Sequence, residues 1–117
     1  MKKYLLAWSI ALSMLSPVAF AAGAIAVDDE VGEKEPGYGL VYGYESREEA
    51  AKEALRECRL QGNEHCRIVA RFDKCGAYAA SLKYFGVGWG NNAADAQAMA
   101  MENCGNSNCR VVVVDCE

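Results

Sequence analysis

The chain has 117 residues with 12 basic and 16 acidic side chains, a formal net charge of −4. That length holds one domain with a modest core. The acidic balance disfavours a nucleic-acid or anionic-membrane partner, since both call for concentrated Lys and Arg.

Residues 1–21 read as an export segment. Lys2 and Lys3 give a basic start, Leu5 to Leu15 is nearly all apolar, and Pro17 precedes the small-x-small triplet Ala19-Phe20-Ala21, which sets the cleavage after Ala21. The apolar run is shorter than the ~20 residues of a spanning helix. No cysteine follows it before Cys58, so neither a lipid attachment nor a stable membrane anchor is expected. The remaining 22–117 is expected to be a single disulfide-rich domain of charge near −6, periplasmic or secreted.

Gly23 to Val27 is a short apolar run with strand character. Asp28 to Gly37, DDEVGEKEPG, lacks the donor alternation and central glycine of a calcium loop and reads as a solvated, mobile loop. Tyr38 to Tyr44, YGLVYGY, reads as a strand with Tyr38, Leu40, Tyr42 and Tyr44 on one face. Ser46, with Glu49 three residues on, starts a helix whose narrow stripe is Ala50, Ala54, Leu55 and Cys58. Gly62-Asn63 stops it, Ile68 to Phe72 forms a strand, and Asp73-Lys74 is a tight turn.

The second half repeats this plan. Gly76 to Leu82 matches Gly23 to Val27, and Phe85 to Gly90 matches Tyr38 to Tyr44 with the acidic loop deleted. Asn92 replaces Ser46 and Asp95 replaces Glu49, while Ala96, Ala100, Met101 and Cys104 reproduce the helical stripe at a constant offset of 46. Cys109-Arg110 opens Val111 to Val114 as Cys66-Arg67 opens its strand. The expected fold class is therefore α+β: two pseudo-symmetric strand-strand-helix-strand repeats, about 23–75 and 76–117, with a mainly antiparallel sheet and two helices.

All six cysteines follow residue 21, and an even count in a short exported chain reads as a disulfide framework. A metal site is the rival, but there is no CxxC pair and His65 is the single histidine. Of the ~15 pairings six cysteines allow, the repeat favours Cys58 with Cys66, Cys104 with Cys109, and Cys75 with Cys116, the last pair meeting near a pseudo-twofold axis. Chain-entropy estimates give ~2–2.5 kcal/mol for each short loop and ~4 for the long one, comparable together with the net stability of a small domain.

The ordered set of Gly23 to Val27, Tyr42-Gly43-Tyr44, Gly88-Trp89-Gly90, the Ala54-Leu55-x-x-Cys58 helix end and Cys66-Arg67-Ile68-Val69 resembles the domain-of-unknown-function family DUF4189 over nearly all of the exported part. The resemblance implies a small extracytoplasmic bacterial domain. The family has no settled activity, and the resemblance brings no catalytic residues.

His65 suits acid–base work by its ordinary pKa, but it sits in a polar turn beside Cys66, whose oxidation would remove a Cys–His nucleophile. Glu48, Glu49, Glu53 and Glu57 fall on a helix's solvent face, interleaved with Lys52 and Arg56. No Gly-rich phosphate loop and no GxSxG motif occurs. The expectation is no enzyme and no cofactor. The residues expected to meet a partner are aromatic: Tyr38, Tyr42, Tyr44, Tyr84 and Trp89. The expected function is a binding module with a protein partner, of the inhibitor or immunity kind. The alternatives are a secreted effector acting on a host or competitor, and an enzyme with an unrecognised site.

Overall fold

A computed structural model describes residues 22–117, so the expected export segment lies outside the described residues. In chain order the elements are β1 (Ala22–Asp28), β2 (Gly37–Tyr44), α1 (Arg47–Leu60), β3 (Arg67–Phe72), β4 (Cys75–Ser81), β5 (Tyr84–Gly90), α2 (Ala93–Cys104) and β6 (Arg110–Cys116). The strands divide between two three-stranded antiparallel sheets, β2-β1-β3 and β5-β4-β6, one for each repeat.

The central strands explain the layering. β1 and β4 are buried along their whole length, and their side chains alternate between two apolar surroundings. Ala22, Ala24 and Ala26 lie under α1 with Ala50, Ala54 and Cys58. Cys75, Ala77 and Ala79 lie under α2 with Ala96, Ala100 and Cys104. The opposite faces, Ile25 and Val27 from β1 with Tyr78 and Ala80 from β4, meet between the sheets and are joined by Phe72 and Val87. The order is thus helix, sheet, sheet, helix.

Both helices start as their sequences require. Ser46 Oγ accepts from the Glu49 amide at 3.1 Å, and Asn92 Oδ1 accepts from the Asp95 amide at 2.8 Å. Each helix lies close on its sheet because glycine faces it. A Cβ on Gly39 would stand 2.4 Å from the Ala54 carbonyl oxygen, and one on Gly88 2.2 Å from that of Ala96. Met101, expected in the buried stripe of α2, is 37% exposed instead; alanine and cysteine alone fill so shallow an interface.

The repeat is reproduced down to its irregularities. β3 carries a bulge at Val69, where Ile25 faces Ala70 and Ala26 faces Ile68, and β6 carries the same bulge at Val112. One irregularity is not shared. On β2 the register moves from Ala24↔Val41 to Ala22↔Tyr44, one residue more than on β5, where Ala77↔Gly88 is followed in step by Cys75↔Gly90. Gly43 takes up this bulge at φ 86°. The expected common tyrosine face is therefore broken: Tyr38 and Leu40 join the core between the sheets, whereas Tyr44 turns under α1.

The disulfides are Cys58–Cys66, Cys75–Cys116 and Cys104–Cys109. They fit an oxidising, non-cytoplasmic environment. The long one differs from expectation in place: Cys75 opens β4 and is the register partner of Cys116 on β6, so it closes the second unit on itself rather than spanning a twofold axis.

The acidic loop is not free in solvent. Tyr78 donates its hydroxyl hydrogen to the Pro36 carbonyl, Arg110 forks onto both oxygens of Glu35 at 3.0 and 3.2 Å, and the Lys83 amide bonds the Lys34 carbonyl at 3.0 Å. The insertion of the first unit is thereby strapped across the second.

Candidate functional site

Two concave regions compete. The first, about 420 Å³, lies between the acidic loop and the turn after α1, where Asp28, Glu35, Glu64 and His65 gather. Its two central carboxylates, Asp28 and Glu35, are already engaged. Asp28 is 2% exposed and accepts the amides of Glu30 at 2.9 Å and His65 at 3.1 Å. Burial raises its pKa, but these amides, that of Glu64 and the charge of His65 outweigh burial and hold the carboxyl below its ordinary value. Glu35 is given to Arg110. Among the described residues no cluster of His, Cys, Asp and Glu could hold a metal ion, and every cysteine is in a disulfide, so no thiol is left beside His65. Of the helix carboxylates, Glu48 and Glu49 face solvent and Glu53 pairs with Arg56 at 3.1 Å.

The second region surrounds Trp89. Because Gly86, Gly88 and Gly90 face α2, the alternate residues Phe85, Val87 and Trp89 point to the side of the other sheet. Phe85 and Val87 are covered there, while Trp89, near the end of β5, stays 44% exposed. It forms a wall of two adjoining clefts. One, about 380 Å³, has Arg47 from α1 and Ile68, Val69, Ala70 and Arg71 from β3. The other, about 120 Å³, has Phe72, Asp73, Lys74, Gly90 and Asn91. Three cations therefore face one acid around the ring, in a chain whose net charge is −4. Arg47 reaches Asp73 at 3.5 Å with both side chains exposed, a pair worth at most about 1 kcal/mol. Arg71 and Lys74 have no carboxylate within ion-pair distance among the described residues.

The structure does not bring together on one face the five aromatic residues expected to meet a partner. Tyr38 stacks on Tyr78 with ring centroids 4.5 Å apart, and Tyr44 packs under α1. Tyr42 and Tyr84 are exposed, but of the five only Trp89 walls a cleft among those found. The cations beside it were missed from sequence. Their signal is a failure of the repeat: where the first unit has Arg47 and Arg71, the second has Ala93 and Val114.

The family model of the domain of unknown function DUF4189 matches residues 22–116. The chain belongs to the DUF4189 family. Among solved structures this DUF4189 chain is similar to the NMR structure of Rv1813c from Mycobacterium tuberculosis, with a TM-score of 0.64 and 24% identity over 88% of this chain and 79% of that one. A likeness at that identity bears on the fold alone. No curated protein matches the chain.

Proposed function

We propose that this DUF4189 domain is an exported, non-catalytic binding module that takes a protein partner at the Trp89 cleft, in the manner of an inhibitor or immunity protein covering its target. The observation that carries this reading is Trp89 itself: a large ring left 44% exposed inside a concavity, ringed by Arg47, Arg71 and Lys74. Trp and Arg are the residue types most often responsible for binding energy at interfaces. Three disulfides in so small a domain support the reading further, because a rigid surface loses little entropy on docking. Engagement of the cysteines in disulfides and of Asp28 in main-chain bonds supports a non-catalytic role.

The test compares capture by the oxidised protein with capture by Trp89→Ala and by Tyr42→Ala, the equivalent exposed aromatic of the first repeat. The expected result is one partner retained by the parent and by Tyr42→Ala and lost by Trp89→Ala. Equal retention by all three would remove the cleft from consideration.

A further inference from the structure

We infer that the Trp89 cleft receives an extended, acidic segment of the partner, added as a strand to the free edge of β3. This inference rests on the reading of that cleft as the binding site and specifies how it is used.

The cleft is lined by four consecutive residues of β3, Ile68 to Arg71. Ile68 packs on the α1 side of the sheet while Val69 and Ala70, at the bulge, pack between the sheets, so a hollow over one face would not meet all four. A hollow that meets all four runs along the rim of the strand, where the main chain is presented. β3 has a single neighbour, β1, so the N–H and C=O groups on its other rim have no strand partner. Such a rim accepts an incoming strand through main-chain hydrogen bonds, while nearby side chains select among sequences. The bulge at Val69 interrupts the rim and limits pairing to a short stretch.

Charge selects the occupant. Arg47 and Arg71 stand in the cleft with the Trp89 ring, Lys74 lies beside them, and the one acid at hand, Asp73, is already opposite Arg47. Acidic side chains alternating with apolar ones would meet Arg71 and the ring in turn, whereas a basic segment is repelled. The same charges argue against a second copy of this chain. Antiparallel pairing of β3 with itself about Val69 would set Arg67 of one copy opposite Arg71 of the other, and like charges directly across a strand pair are destabilising.

The probes are short synthetic peptides alternating Val with Glu, the same peptides with Lys in place of Glu, and the Glu peptides carrying N-methyl groups along one edge of the backbone. They are titrated into the oxidised, isotope-labelled protein. The expected result is a change at the main-chain amides of Ile68 to Arg71 and at the Trp89 indole N–H, with slowed exchange of those among the amides that point away from β1. The Lys and N-methyl peptides should bind about tenfold more weakly or worse, and Arg71→Glu should reverse the preference between Glu and Lys. N-methylated peptides binding as well as their parents would overturn strand addition, and so would changes confined to the indole; either leaves the cleft as a binding site. Slowed exchange at β3 that grows with protein concentration in the absence of peptide would overturn the inference in favour of self-pairing. No response to any peptide, while Trp89-dependent capture of a partner persists, would also overturn it without touching the preceding reading.

Discussion

Asp28 and Ser81 hold the same place in the two repeats, at the buried end of each central strand. Each ties down the turn that follows its helix: Asp28 through the His65 amide, Ser81 through its hydroxyl to Asn106 Oδ1 at 3.4 Å. From sequence Asp28 reads as part of a solvated loop with no match to Ser81, because its partner amide lies 37 residues away; the structure makes it the buried end of β1. Caps were legible because their logic is local, as at Ser46 and Asn92. Burial raises the Asp28 pKa, yet the amides of His65, Glu30 and Glu64 and the charge of His65 leave the folded-state value below the ordinary aspartate value of 3.8. Its contribution is therefore complete above that value and is lost as pH falls through it toward the lower folded-state pKa. Asp28→Asn should cost about 1–2 kcal/mol at neutral pH. The gap from the parent should narrow below pH about 4 in urea unfolding curves. A gap independent of pH would contradict the assignment.

At the level of elements, hydrophobic spacing and the internal copy were enough to place both helices and all six strands. What they did not reveal is pleat-level detail. The extra residue at Gly43 leaves only a faint mark, a change of offset from 47 between Tyr38 and Phe85 to 46 between Ser46 and Asn92. That one residue sends Tyr44 to the helix side and dissolves the expected tyrosine row. Gly39 of β2 and Gly86 and Gly88 of β5 let the helices approach closely, whereas Gly43 serves the bulge. Gly88→Ala would place a methyl carbon 2.2 Å from the Ala96 carbonyl oxygen, an overlap only movement of α2 can relieve. A loss of about 2–3 kcal/mol is expected in chemical unfolding, and a loss below ~0.5 kcal/mol would show that the helix does not lie where described.

For the molecule as a whole, duplication was readable, but the division into two sheets was not. Each copy pairs its own three strands, and the two sheets then meet through side chains between them, an arrangement that nothing in either copy's pattern distinguishes from one continuous sheet. The docking of the acidic loop was hidden for the same reason, since Glu35 finds Arg110 across 75 residues. The placement of the long disulfide now makes a sharper statement possible. Cys75 and Cys116 close a loop of sequence separation 41 inside the second unit, and replacing both with Ser should cost about 4 kcal/mol. A thermal midpoint unchanged in that double variant, or unchanged on full reduction, would refute a structural role for the bridges.

That closure has a corollary for the link between the units. Cys58–Cys66 lies in the first, and the other two bridges lie in the second, so no sulfur crosses between them. Their covalent connection is the exposed pair Asp73-Lys74. Cut after Lys74, the chain would become a non-covalent heterodimer of two independently crosslinked polypeptides, and its reassembly would turn from a unimolecular process into a second-order one.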